Sequence, residues 1–130
     1  MIVKNDNRSY DYQSFPKENR QEYDMIMKWI PSGAKVIDLG CGKGDLMKKL
    51  ILEKNFSCTG IEITPTGTSV CRREGLHVLQ GRIDEILPFA DNEFDIAICN
   101  VTIQMVLYPE ILLQQMKRIA RKQIVSFPNF

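Results

Sequence analysis

The sequence predicts an α/β fold built on a doubly wound, mainly parallel sheet. Short apolar runs alternate with stretches of helical periodicity along most of the 130 residues. A strong strand near residue 35 runs directly into a segment with glycine at every second position, Gly40-Cys41-Gly42-Lys43-Gly44. Strands that alternate with helices indicate parallel pairing and right-handed crossovers, with ligands beyond the carboxyl ends of the strands. We therefore expect a Rossmann-like sheet of strand order 3-2-1-4-5, with a ligand site at the first strand-to-helix turn.

The first helix is predicted from four residues at positions i, i+3, i+4 and i+7 of one helical face: Tyr23, Ile26, Met27 and Ile30. Pro31-Ser32-Gly33 ends this helix. The first strand covers 35–39, and a second helix runs from 45 to about 54. A strand over 57–62 follows it. These elements make up the first βαβ unit.

A second unit follows at once. Thr64 is the predicted N-cap of a helix over 65–74, with Pro65 at its first position and Gly75 as its left-handed stop. A third strand covers 76–80.

The last third of the chain completes the sheet. Residues 84–87 form one short turn before Pro88, and a strong strand covers 94–99. A helix starts at 108–110 and runs to about 121, and the fifth strand covers 123–127.

Length and charge indicate one domain without a nucleic-acid or membrane partner. Lys and Arg number 17 against 16 for Asp and Glu, so there is no basic field for nucleic acid or anionic lipid. The N-terminus lacks the apolar region of a signal peptide, and no apolar run approaches the roughly 20 residues that span a bilayer. We expect a cytoplasmic protein with a flexible N-terminal arm over 1–16 and a ligand-binding domain over 17–130.

The cysteines do not predict a disulfide framework or a metal site. They lie at wide, irregular intervals: Cys41, Cys58, Cys71 and Cys99. Disulfide frameworks and zinc sites need closer, paired spacing, so we expect reduced thiols and no metal. A catalytic pair of one cysteine with His77 is a weaker alternative.

The glycine spacing favours one class of cofactor. In the dinucleotide fingerprint G-x-G-x-x-G, the third glycine packs beside a pyrophosphate, but Asp45 takes that place here and would repel the phosphates. A phosphate loop also fails, because no Ser or Thr follows Lys43-Gly44. Carboxylates on both sides of the loop suit a ligand with an ammonium group, such as S-adenosylmethionine. The residues expected to bind its methionyl part are Asp38, Gly40, Cys41, Gly42 and Gly44.

Other strand ends supply the remaining candidates. Glu62 closes the second strand 18 residues after the last loop glycine, where a carboxylate can accept both ribose hydroxyls. Ile63 is a candidate to cover adenine, and Asp84, or a backbone carbonyl beside it, to accept from the adenine amino group. Asn100 and Gln104 follow the fourth strand and would border the methionine portion and the methyl acceptor. Core packing for Ile63 and ordinary loop hydrogen bonds for Asn100 and Gln104 are the open alternatives.

Together these residues resemble a known class. The loop over 38–44, Glu62 and the strand over 94–99 look like a class I S-adenosylmethionine-dependent methyltransferase. More narrowly, the chain over about 22–130 resembles the MetW methionine-biosynthesis family. The segments that carry this resemblance are Trp29-Ile30-Pro31, Gly60-Ile61-Glu62-Ile63, Gln80-Gly81 with Asp84-Glu85, and Ile124-Val125-Ser126-Phe127-Pro128-Asn129-Phe130. Family members usually carry acids where this chain has Lys43 and Arg82.

The resemblance implies an S-adenosylmethionine pocket, methyl transfer in methionine biosynthesis and association with homoserine O-acetyltransferase. The methyl acceptor is a small molecule or protein that the residues do not identify, and no catalytic base can be named. The alternative is a non-catalytic regulatory partner of the acetyltransferase that binds the cofactor; a nicotinamide-dependent dehydrogenase is a third hypothesis. Class I methyltransferases ordinarily have a sixth and a seventh strand after the fifth. We therefore expect a C-terminally truncated chain, or a homodimer through the edge of the fifth strand.

Overall fold

A computed structural model describes residues 19–54, 56–100 and 106–126. Its five parallel strands lie in the order β3-β2-β1-β4-β5, which confirms the predicted Rossmann-like sheet. The elements in chain order are α1 (Asn19–Lys28), β1 (Lys35–Leu39), α2 (Asp45–Lys54), β2 (Ser57–Glu62), α3 (Pro65–Arg73), β3 (His77–Gln80), β4 (Phe94–Asn100), α4 (Pro109–Ile119) and β5 (Ala120–Ser126). The predicted arm over 1–16 lies outside the described residues.

Each face of the sheet is buried by helices. On one face, Val36 and Ile98 pack with apolar residues of α1 and α2. On the other face, Ile37 and Ala97 pack against the buried side of α4, which is formed by Leu112, Met116 and Ile119. Burial on both faces explains why β1 and β4 are nearly continuous apolar runs. The central strand β1 is thereby fixed, and its carboxyl end presents the glycine loop.

The predicted element boundaries agree with the structure to within two residues, except at the start of β5. Helix α4 ends at Ile119, two residues before the predicted end, and β5 begins at Ala120 instead of residue 123. Ala120 is already extended, with φ −137° and ψ 146°. The prediction was wrong because Arg121 and Lys122 suit the last turn of a helix, whereas in the structure they are exposed strand residues. Residues 84–87 form a loop without a helical turn.

Strand β5 forms one edge of the described sheet and pairs only with β4 there. A groove of about 340 Å³ runs beside it. Its lining residues are Trp29, Ile96, Lys122, Gln123, Ile124 and Val125. Trp29 is 59% exposed at this groove. The predicted homodimer through the β5 edge stays a prediction.

Two kinds of feature are absent from the described ranges. None of the helices there is both long enough and apolar enough to cross a membrane. Within the same ranges, no group of three or more His, Cys, Asp or Glu side chains is arranged to hold a metal ion.

Gly44 and Gly33 provide a matched pair for testing the packing under the loop. Both have a positive φ, +86° and +82°, but a Cβ at Gly44 would collide with Leu76, whereas a Cβ at Gly33 meets nothing within 4 Å. Gly33→Ala should lower the free energy of unfolding by about 1 kcal/mol through backbone strain alone. Gly44→Ala should cost roughly 1–3 kcal/mol more through overpacking. Urea denaturation measures both, and equal losses would contradict the packing argument.

Candidate functional site

The glycine loop adopts a backbone that depends on its glycines. Gly40, Gly42 and Gly44 have φ values of +83°, +59° and +86°, in the left-handed region that side chains disfavour. The main chain of the loop is held against β2, because the N–H groups of Gly40 and Cys41 donate to the carbonyl of Ile61 at 2.8 and 3.0 Å. The loop is thus a rigid turn at the carboxyl end of β1.

The Cys41 side chain packs into the protein interior. A Cβ built on Gly60 would lie 2.8 Å from the Cys41 sulfur, so this thiol fills the space that Gly60 leaves. The Cys71 thiol donates to the carbonyl of Gly42 at 3.2 Å. A hydrogen bond with Cys71, together with burial, raises the pKa of Cys41 far above its usual value, which disfavours a thiolate nucleophile. Any contribution of Cys41 to ligand binding therefore comes from its main chain.

Glu62 links the glycine loop to the start of α3. Its side chain is 1% exposed, and Oε1 accepts from the N–H of Gly42 at 3.0 Å. Oε2 accepts from the N–H of Thr64 at 3.1 Å and from the Thr64 hydroxyl at 2.6 Å. Protein donors therefore fix the orientation of the carboxylate expected to bind ribose.

Asp38 is the second buried carboxylate of the site, at 3% exposure on β1. No hydrogen bond from the described part of the chain reaches its carboxylate. Burial, and then the negative charge of Glu62, raise the pKa of Asp38 from 3.8 to about 7. A buried carboxyl group without a partner is costly to ionise. Asp38 is therefore suited to a ligand that brings a positive charge.

Asp84 has partners within the protein. Arg82 donates to both of its oxygens, at 2.9 and 3.0 Å. Its Oδ2 also accepts from the N–H groups of Leu107 and Tyr108, at 3.2 and 3.1 Å. Burial alone would raise the pKa of Asp84, but the hydrogen bonds from Arg82 and Tyr108 hold it below its usual value. Asp84 thus ties the loop after β3 to the start of α4, where Tyr108 gives no side-chain cap.

Two of the remaining candidates, Ile63 and Asn100, lie at the carboxyl ends of β2 and β4. Ile63 is half-buried directly after β2. Asn100 ends β4, is also half-buried, and accepts a hydrogen bond from the Ser126 hydroxyl on β5. Gln104 lies outside the described residues. The roles of Ile63 and Asn100 in ligand binding stay predictions.

Sequence reasoning missed the part of the site formed by the first turn of α3. Thr64 was predicted as a helix cap, which is confirmed by its acceptance of the Gly67 N–H at 3.1 Å, but its bond to Glu62 was not foreseen. By helix propensity alone, Gly67 only weakens the helix. A Cβ at Gly67 would lie 2.9 Å from each of the Glu62 Cγ, the Gly42 oxygen and the Thr64 hydroxyl. The sequence signal for this contact is a glycine in the first turn of a helix that follows an acid at the end of a strand.

The sheet order and the glycine loop define a domain with the fold of class I S-adenosylmethionine-dependent methyltransferases. The sequence profile of the family "Methionine biosynthesis protein MetW" matches residues 20–130. The chain belongs to the MetW family. The bifunctional methionine biosynthesis protein MetXA/MetW of Rhodopirellula baltica is 33% identical over 117 residues, which cover 82% of this chain and 19% of that protein.

Solved structures share the fold. An S-adenosylmethionine-dependent methyltransferase of Thermotoga maritima, described as a possible histamine N-methyltransferase, is 27% identical with a TM-score of 0.66. The match covers 80% of this chain and 48% of that one. The [4+2]-cyclase SpnF has a TM-score of 0.72 at 19% identity, over 92% of this chain and 46% of that one, which shows the fold alone. The chain thus spans about half the length of these two structures.

Replacing Asp38 should change how stability depends on pH. The folded state holds this proton up to about pH 7, whereas the unfolded chain releases it near pH 3.8. The folded state therefore binds more protons in this window, and the free energy of unfolding falls as pH rises through it. The loss should be on the order of 4 kcal/mol across the window. Asp38→Asn should remove this fall, so that the variant is more stable than the wild type at pH 8.

Urea denaturation of both proteins between pH 4 and pH 8 measures the effect. The difference between the two curves cancels the contributions of other groups, including Asp84. Parallel curves would show that Asp38 does not titrate in this window.

Proposed function

We propose that this chain binds S-adenosylmethionine at the glycine loop and transfers its methyl group to a small-molecule or protein acceptor. The observation that carries the proposal is Asp38, a buried carboxylate that lacks a hydrogen-bond donor or a neighbouring cation among the described residues. A ligand with an ammonium and a sulfonium group would supply the missing positive charge. A pyrophosphate would instead add negative charge beside Asp38 and Glu62.

The residues at the loop fit this cofactor. Asp38 would hold its ammonium group, directly or through water, and Glu62 its ribose hydroxyls. Gly40, Gly42 and Gly44 would let the main chain approach the methionyl portion closely. Membership in the MetW family and the fold of the Thermotoga maritima methyltransferase support the same assignment.

For the reaction, the protein's task is to position the reactants and exclude water. Bound S-adenosylmethionine supplies an activated methyl group for in-line displacement. The loop and Glu62 form a preformed, hydrogen-bonded half of the pocket. The high pKa of the Cys41 thiol argues against attack by this cysteine.

Binding of S-adenosylmethionine should depend on pH through Asp38. Protonated Asp38 cannot attract an ammonium group, so affinity should fall by roughly tenfold between pH 7.5 and pH 5.5. Isothermal titration calorimetry measures this change. 5′-Methylthioadenosine lacks both the ammonium and the sulfonium group, and its affinity should vary much less with pH. Asp38→Asn should bind S-adenosylmethionine weakly and without the pH dependence.

Gly42→Val provides the control for the pocket, because a side chain at φ +59° distorts the loop. It should abolish binding of both ligands. Wild-type affinity in Gly42→Val would remove the loop from the site, and an equal pH dependence for both ligands would exclude the role of Asp38.

A second candidate function is regulation of a partner enzyme. The Rhodopirellula baltica relative carries MetXA and MetW in one bifunctional protein. Such a fusion suggests that the two parts act together, and in the MetW resemblance the partner is homoserine O-acetyltransferase. The fold does not by itself specify methyl transfer, since the cyclase SpnF shares it. In this second function the chain binds the cofactor without turnover.

An acetyltransferase assay distinguishes the two functions. Under the regulatory hypothesis, adding this chain to homoserine O-acetyltransferase should change the acetylation rate in a saturable way, and S-adenosylmethionine should modulate the change. Gly42→Val should lose the response to the cofactor while keeping any contact that lies elsewhere. Unchanged rates across a concentration series count against regulation. Release of S-adenosylhomocysteine when the chain is incubated with S-adenosylmethionine and cell extract supports catalysis.

A further inference from the structure

Thr64 holds the carboxylate of Glu62 through two separate groups. Its hydroxyl lies 2.6 Å from Glu62 Oε2, and its main-chain N–H lies 3.1 Å from the same oxygen. Both residues are buried, with 5% and 1% of their surface exposed. Short hydrogen bonds to a carboxylate are about twice as strong as neutral ones.

The direction of the hydroxyl proton follows from the neighbouring donor. The Thr64 hydroxyl accepts from the N–H of Gly67 at 3.1 Å. A hydroxyl group has one proton and two acceptor lone pairs. Because the Gly67 N–H already points at a lone pair and a carboxylate oxygen accepts on the other side, the proton of Thr64 is directed at Glu62. One side chain thus caps α3 and orients the carboxylate.

The surrounding atoms leave Glu62 little room to turn. Gly67 lies so close that a Cβ there would be 2.9 Å from the Glu62 Cγ. On the loop side, Oε1 is held by the N–H of Gly42 at 3.0 Å. The hydroxyl of Thr64 is therefore a side-chain contact placed to set the rotation of the carboxylate between the loop and the helix.

We propose that Thr64 is a positioning residue that sets the preference of the site for a ribose over a deoxyribose. This inference rests on the proposed function, in which Glu62 binds the ribose hydroxyls of the cofactor. Two hydroxyls on adjacent carbons can be bound together only when the carboxylate lies in a suitable plane. Without the Thr64 hydroxyl, the carboxylate loses its strongest donor and turns, so the contact with one ribose hydroxyl is lost.

The test compares S-adenosylhomocysteine with its 2′-deoxyribose analogue by calorimetry. We expect the wild type to prefer the ribose form by roughly tenfold or more, the value of one hydrogen bond to a charged group. Thr64→Val should weaken the binding of S-adenosylhomocysteine by about tenfold and reduce the preference for ribose over deoxyribose to less than about threefold. Thr64→Ser keeps the hydroxyl and should retain both affinity and preference.

Thr68→Val is the matched control. The Thr68 hydroxyl is also buried in α3, but it lies against the main-chain oxygens of Thr64 and Glu62, at 2.8 and 3.3 Å, and does not contact the Glu62 carboxylate. This variant should lose stability and still prefer the ribose form. If Thr64→Val does not fold, Thr64→Ala provides the same loss of the hydroxyl with less bulk in the first turn of α3.

Three outcomes would overturn the inference in different ways. If Thr64→Val weakens the binding of both ligands by the same factor and keeps the preference for ribose, Thr64 is only a helix cap. If Thr64→Val binds as the wild type does, the hydroxyl does not position Glu62. If the wild type binds neither ligand, the proposed function itself fails, and the inference fails with it.

Discussion

The structure of the site depends on the burial of two carboxylates at the ends of neighbouring parallel strands. Asp38 on β1 pairs with Gly60, two residues before Glu62 at the end of β2, so both carboxylates lie on the same side of the sheet and the charge of Glu62 acts on Asp38. Two negative charges in an apolar setting repel each other and are poorly solvated. For Glu62, three hydrogen bonds from Gly42 and Thr64 replace the solvation that the carboxylate loses on burial. Asp38 receives no hydrogen bond from the described residues, and burial raises its pKa.

The sequence predicted the fold and the loop because both depend on local patterns. Apolar runs of the right length identified the strands, and glycine at every second position marked the turn after β1. The boundary between α4 and β5 was wrong, because Arg121 and Lys122 fit either element and only the pairing with β4 decides between them. The partners of Asp84 were also not predicted, since Leu107 and Tyr108 are more than 20 residues away along the chain.

Gly67 shows why the site itself was harder to predict than the fold. From the sequence it is a residue that weakens a helix by about 1 kcal/mol relative to alanine. In the structure its lack of a Cβ allows the first turn of α3 to contact both Glu62 and the carbonyl of Gly42. Helix propensity describes a helix in isolation. The residue type at position 67 depends instead on how closely α3 must approach the glycine loop. Residues that break a local rule are therefore good candidates for a functional site.

The two carboxylates contribute to ligand binding in different ways. Glu62 is oriented before any ligand arrives, so little ordering is needed when ribose hydroxyls approach it. Ionised Asp38 instead lowers the stability of the folded protein, because its charge is buried and lies near Glu62. A bound cationic ligand offsets this loss of stability. A ligand that binds only the folded state also stabilises it. Binding and folding are therefore linked through Asp38, and a neutral residue there would increase stability while removing the attraction that selects a positively charged ligand.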